Sequence, residues 1–301
     1  HILPDWLLRK YGLFSKKINL PNGTSFRYDQ YKVPCCASCN SLMGETFEKP
    51  IRELIEGGYL RFTDHIANHG FSFLLNWLAL IFFKTHLKDR NLRINRDTRD
   101  NYGYIADGYD WQELFHIHCI ARSFYTKCEL DTTVQGTLLV LPARTADQFE
   151  LFDYLDLYSA QTMLLRMGDI AILHVLNDSC AVMNWNWSLI QKINQPLSYV
   201  QLRELTAAFA HTNTNLIQRP IFHSSFDLKS NTCKVSANIP DELKFSDFNH
   251  NEYGAILFQC LKDYLQTISP LDRENVEPQI KKGIYSFVFD KNGNLITRQT
   301  G

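Results

Sequence analysis

Residues 162–175, TMLLRMGDIAILHV, decide the fold class. Two aliphatic runs, Thr162 to Met167 and Ile170 to Val175, flank Gly168-Asp169, a pair suited to a tight turn, so the stretch reads as two strands folded back on each other. Thr133 to Leu141 reads as a further strand. Helical spacing of apolar residues surrounds this strand region: it runs from Thr63 to about Lys88 and again from Asp110 to Tyr125. Ser198 to Gln201 fits a capping box opening a helix that carries Leu202, Leu205 and Phe209, and Tyr253 to Ile268 forms another amphipathic helix. Tyr285 to Thr297 closes the chain as a hairpin around Asn292-Gly293. The expected class is therefore α+β, a mixed helical and antiparallel-sheet chain without repeats.

Composition narrows the function classes. The 301 residues carry a net charge of -1, with 45% hydrophobic and 21% charged side chains, enough apolar surface to offset the ordering entropy of a folded core. A disordered tail, a collagenous repeat, a small disulfide scaffold and a wholly basic nucleic-acid coat protein are excluded on that basis. The longest apolar run, Phe71 to Phe83, is interrupted by Ser72 and Asn76 and falls short of the ~20 residues that cross a bilayer. It reads as a buried helix, and no membrane partner is expected. No signal-peptide pattern opens the sequence, and the eight cysteines are scattered except for the tight group at 35, 36 and 39, which suits a reducing cytoplasm.

The first 58 residues differ from the rest. His1 to Leu8 is a short apolar segment with Pro4 and Trp6; a polar stretch then leads to the turn signal Pro21-Asn22-Gly23, and Phe26 to Val33 reads as a strand entering Pro34-Cys35-Cys36. The pattern is strand, long loop, strand, cysteine knuckle. Asn40 or Ser41 can cap a short helix after Cys39, and Pro50 suits the first turn of a second helix ended by Gly57-Gly58.

Cys36-x-x-Cys39 carries the metal signal, since two thiolates three residues apart on a tight turn reach one tetrahedral zinc at ~2.3 Å. It is half a site, because the sequence holds no second CxxC and the thiols at 119, 128, 180, 233 and 260 lack paired spacing. The bland alternative is a buried CxxC without metal.

HILPDWLL at residues 1–8, VPCCASCN at residues 33–40 and Phe47-Glu48 together resemble the zinc-knuckle branch of the HNH nucleases. That branch places a CxxC first, then a carboxylate or His, then His-Ile-x-Pro, then a second CxxC followed by Asn or His. The resemblance covers His1 to about Gly57. It implies a ββα-metal module at 1–58 followed by an α+β domain of unassigned role at 59–301. It further implies His1 as general base, Cys36 and Cys39 as ligands of a structural zinc, and Asn40 or Glu48 beside a catalytic magnesium or manganese. Asn40 following a cysteine turn can equally cap the helix. The family's first CxxC and the ligand just before the base would lie before His1. Gly12 to Ser25 reads as an insertion in the hairpin, and Gln30 falls nearest to the family's middle Asn.

Other signals carry less. His65 and His69 have the i, i+4 spacing of a zinc protease, but Ile66 stands where its catalytic Glu belongs. His116 and His118 point to different sides of a helix. Lys84, Lys88, Arg90, Arg93, Arg96 and Arg99 against Asp89 and Asp97 give a net +4 over residues 84–99, which suits a phosphate backbone or an ordinary solvated face. No glycine-rich phosphate loop is present. The function expected is metal-dependent phosphodiester hydrolysis on nucleic acid, DNA ahead of RNA, in a bacterial defence setting, with a protein partner or a second copy as a further associate. The alternative is a non-catalytic nucleic-acid or partner-binding protein with a degenerate knuckle; a small-molecule sensor in 59–301 stays open.

Overall fold

The computed structural model describes residues 1–20, 24–95, 97, 99, 102–146 and 151–297. Its elements run α1 (Asp5–Lys10), β1 (Lys17–Asn19), β2 (Ser25–Arg27), α2 (Ala37–Met43), α3 (Lys49–Glu56), α4 (Gly58–His69), α5 (Ser72–Asp89), α6 (Phe115–Thr126), β3 (Glu129–Leu130) and β4 (Leu138–Pro142). Then follow β5 (Phe152–Leu157), β6 (Thr162–Met167), β7 (Ile170–Val175), α7 (Ala181–Trp185), α8 (Trp187–Ile190), α9 (Tyr199–Thr214), β8 (Ile221–Asp227), β9 (Thr232–Asn238), α10 (His250–Leu265) and α11 (Pro270–Lys281). The class is α+β, as the strand and helix periods indicate. The chain divides into two compact units, His1–Val134 with Phe222–Ser236, and Gln135–Ile221 with Ala237–Gly301. The boundary expected after residue 58 falls inside the first unit.

In the first unit the opening segment is a helix where a strand is expected. Pro4 occupies the N-cap position, Asp5 sits in the first turn, and Arg9 and Lys10 sit in the last, so the charges complement the helix dipole while Leu7 and Leu8 are buried. The hairpin overlaps the segment read as an insertion and runs two residues past it: β1 pairs antiparallel with β2, Ile18 opposite Phe26. Its turn signal, Pro21-Asn22-Gly23, lies outside the described residues. The strand expected over Phe26 to Val33 stops at Arg27, where a 3-10 turn at Tyr28–Gln30 takes over. His1 is therefore not on a strand of the hairpin. Its neighbour Ile2 instead donates its N–H to the Tyr31 carbonyl at 3.0 Å.

The helix expected from Thr63 to Lys88 is two helices, because Gly70 at φ 76° breaks the run and α5 leaves α4 at 113°. α5 buries Leu74, Leu75, Trp77, Leu78, Ala79, Ile81 and Phe82, each large side chain contributing ~1.5–3 kcal/mol on removal from water. It packs on α6, and Asn76 donates its amide to the Ile120 carbonyl at 2.8 Å. α6 begins at Phe115 rather than Asp110. Among the described residues no single helix is long and apolar enough to cross a membrane. A three-stranded sheet, order β3-β9-β8, completes the unit, β3 running parallel to β9.

The second unit is built on an antiparallel sheet of order β4-β7-β6-β5. The turn at Gly168-Asp169 sets Met167 opposite Ile170 and Thr162 opposite Val175, with Gly168 at φ 69° where a side chain would be strained. Every residue of β6 and β7 is buried, which is why both read as unbroken aliphatic runs rather than alternating ones. The strand expected from Thr133 begins only at Leu138. Ser198 and Gln201 close the capping box of α9, whose Leu202, Leu205 and Phe209 pack on the sheet. Buried in the same helix, Arg203 holds Asp153 through two bonds of 2.7 and 2.9 Å, and Glu204 accepts from the Ser286 hydroxyl and the Phe287 and Val288 amides. The closing hairpin forms around Asn292-Gly293, with Phe289 paired to Leu295.

Candidate functional site

The cysteine knuckle opens a helix, its cap at Cys36 lying four residues before Asn40 and five before Ser41. Cys36 is the N-cap of α2, its sulfur accepting the Cys39 N–H at 3.3 Å and hydrogen-bonding with the Ser38 hydroxyl at 3.3 Å. A cysteine does here what Ser or Asp does at other helix starts. Asn40 gives its own N–H to the Cys36 carbonyl at 3.0 Å and is exposed in the first turns. α2 runs through a π-turn at Gly44–Glu48 into α3, which carries Pro50 in its first turn. Both knuckle thiols are accessible, Cys36 fully and Cys39 partly. The Ser38 hydroxyl, with the Cys39 thiol and amide, pulls Cys36 down to about 7, while the hydrogen bond to Cys36 pushes Cys39 up. One sulfur is thus prepared as a thiolate and the other as its proton-bearing partner.

Below this turn a second group gathers. Lys84 of α5 donates its ammonium to the His1 carbonyl at 3.3 Å, and burial lowers it to about 8, with the Glu48 charge pulling the other way. Glu48, in the π-turn, is raised by its own burial against the opposing pull of Lys84. His1, Cys35, Glu48 and Lys84 therefore lie within electrostatic reach of one another. Of the residues the sequence singles out, the His1 main chain and Glu48 are brought together, and the hydrogen bond from Ile2 to Tyr31 lays the opening segment against the end of the 3-10 turn that leads into the cysteines.

The metal ligands are less complete. Cys36 and Cys39 supply two thiols, half of a tetrahedral set, and among the described residues no group of three or more His, Cys, Asp or Glu side chains is arranged to hold a metal ion. The residues present do not by themselves fit the structural zinc or the catalytic magnesium or manganese expected. The β1–β2 hairpin followed by α2 has the order of a ββα unit, yet without His1 on its first strand.

The basic run splits. Lys84 turns to the His1 main chain, Lys88 lies 6.0 Å from the Phe26 ring centre, Arg90 stands 5.7 Å over Trp111, and Arg93 is exposed beside the bridge it forms with Tyr104. Arg96 lies outside the described residues. Arg90, Ala106, Asp107, Tyr109 and Trp111 line one shallow pocket, a guanidinium and two aromatic rings around an open surface. Sequence reasoning misses this grouping, as Tyr109 and Trp111 sit some twenty residues from Arg90 with nothing periodic to link them. It also misses Ser38 as the group that acidifies Cys36, and the role of Lys84 as the partner of Glu48. The His65 and His69 rings share a face of α4, 4.6 Å apart. Comparison with known protein families, with curated proteins and with solved structures finds no match to this chain.

Proposed function

We propose that the first unit is an HNH-like module that hydrolyses nucleic-acid phosphodiester bonds, DNA ahead of RNA. The observation that carries the reading is the meeting of the His1 main chain with Glu48 and Lys84 beside the cysteine-capped helix, held by the Ile2 to Tyr31 hydrogen bond. In this reading the His1 imidazole takes the proton from the attacking water. Lys84 acts as a positioning residue, fixing the main chain that carries the base. Arg90 with Tyr109 and Trp111 offers bases a stacking surface and a cation for the backbone.

A second reading, binding of single-stranded nucleic acid without cutting, draws on that same pocket and on the two-thiol count of the knuckle. One experiment separates them: supercoiled-plasmid nicking in magnesium or manganese by protein expressed from its whole reading frame, alongside filter binding of single-stranded DNA. Nicking by the parent that falls ~10²–10⁴-fold in His1→Ala supports the base role. Equal nicking by both removes it, and tight binding with no nicking by the parent favours the second reading.

A further inference from the structure

Three thiols that sequence spacing leaves unrelated meet in the first unit. Cys128 directly precedes β3 and Cys233 lies in β9, two strands that run parallel with Glu129 opposite Lys234 and Leu130 opposite Val235. One step back along that register sets Cys128 opposite Cys233. In-register residues on neighbouring strands lie ~4.8 Å apart, inside the ~4.4–6.8 Å between Cα atoms that a disulfide spans. Parallel partners also send their side chains to the same face, and the two thiols hydrogen-bond each other. The register is held just beyond them: Lys234 pairs with Asp131 at 2.7 Å, and the Asp131 N–H donates to the Val235 carbonyl at 2.9 Å. Cys119 on α6 is the third member, close enough for its charge and that of Cys233 to repel. All three are partly accessible.

We propose that Cys128 and Cys233 form a disulfide when the protein meets a small-molecule disulfide oxidant, and that Cys119 stays reduced beside it. In the first step one protein sulfur attacks the oxidant's S–S bond, giving a mixed disulfide and releasing one small thiol. The second protein sulfur then displaces the other small thiol. The protein S–S bond forms as the oxidant's breaks, two electrons pass to the oxidant, and the two thiol protons leave with the two small thiols. A trithiolate metal site is the competing use of the same residues, but the three are not arranged as a ligand group.

The chemistry of the pair shapes its behaviour. Burial and the neighbouring Cys233 push Cys128 up to about 12, and burial raises Cys119, so these thiols are protonated at neutral pH and attack slowly. A thiol of raised pKa is also a poor leaving group, so the bond once made resists reduction. The bond ties β9, in the segment Phe222–Ser236 that returns to this unit, to the start of β3. It therefore works as a slow oxidative staple rather than a fast catalytic dithiol, the opposite of the Cys36 and Cys39 pair.

The test is peptide mapping of the native full chain after equilibration with oxidised glutathione, free thiols being trapped by N-ethylmaleimide. The expected result is a Cys128–Cys233 crosslink with Cys119 alkylated, lost on dithiothreitol, and replaced in Cys128→Ser by a glutathione adduct on Cys233. A link through Cys119, stable glutathione adducts on Cys128 or Cys233 in the parent, zinc released in proportion to oxidation, or three alkylatable thiols at oxidant excess would each overturn the proposal.

Discussion

At pH 7 a thiol titrating near 9 is ~1% thiolate, whereas one at about 7, as Cys36 is beside the Ser38 hydroxyl, is about half ionised. That ~50-fold gain in nucleophile is offset because a less basic thiolate is less reactive, by ~6–10-fold over two units of acidity. Folded Cys36 should thus react with iodoacetamide about five- to eightfold faster at pH 7 than the same residue in the urea-unfolded chain. Above pH 9, where both sites are ionised, the order reverses, and the two rate curves cross near roughly pH 8. The assay is timed alkylation from pH 5.5 to 10, with tandem mass spectrometry locating the adduct within residues 33–52, the tryptic peptide that Cys35, Cys36 and Cys39 share because Pro50 blocks cleavage after Lys49. Ser38→Ala removes the largest cause of the shift and should move the Cys36 half-rate point upward while leaving Cys39 slow. Rate curves that never cross, or a Ser38→Ala profile identical to the parent, would refute the reasoning that local hydrogen bonds at the helix start acidify this sulfur.

Two further outcomes concern the second unit and a third the first. Burial holds Glu204 up to about 7 against an ordinary 4.5, so between these values the folded chain keeps a proton that the unfolded chain has lost. Stability falls as pH rises through that window, by about 3 kcal/mol at most, and urea melts of Glu204→Gln should lose this limb; parallel profiles would argue against a buried protonated carboxyl. At Gly254 a Cβ would stand 2.2 Å from the Lys281 carbonyl oxygen, so Gly254→Ala must push the end of α11 from α10, at about 1–3 kcal/mol. Gly44→Ala, with nothing within 4 Å and helical backbone, should instead stabilise by about 0.5–1 kcal/mol, and thermal melts of the two compare the effects.

The elements that the sequence yields most directly are those whose local and tertiary demands agree. The 162–175 hairpin is legible because a turn pair and two aliphatic runs coincide, and Ser198 with Gln201 because a capping box needs only four residues. The first 58 residues are harder. Leu7 and Leu8 fit a strand as well as a helix, and only Pro4, Asp5 and Arg9, placed as a cap, a first-turn acid and its i, i+4 partner, tip the balance toward α1. Between Thr63 and Lys88 the helical period continues through Gly70, and periodicity alone does not report a 113° change of direction.

The candidate site divides along the same line. CxxC spacing is local, so Cys36 and Cys39 can be found from the sequence, and the helix they open follows from a residue able to accept an N–H at its start. What the sulfurs do is set by neighbours. Ser38, two residues away, fixes which thiol ionises; Lys84, some eighty residues away, fixes the main chain of His1. The same distinction separates the two thiol pairs. Cys36 lies exposed where its charge is met by hydrogen-bond donors, whereas burial and the neighbouring Cys233, Cys119 and Glu129 oppose the charge of Cys128. Spacing reveals the first pair because a helix turn makes it, and hides the second because only the parallel register of β3 with β9, formed across a hundred residues of intervening chain, sets its members opposite each other.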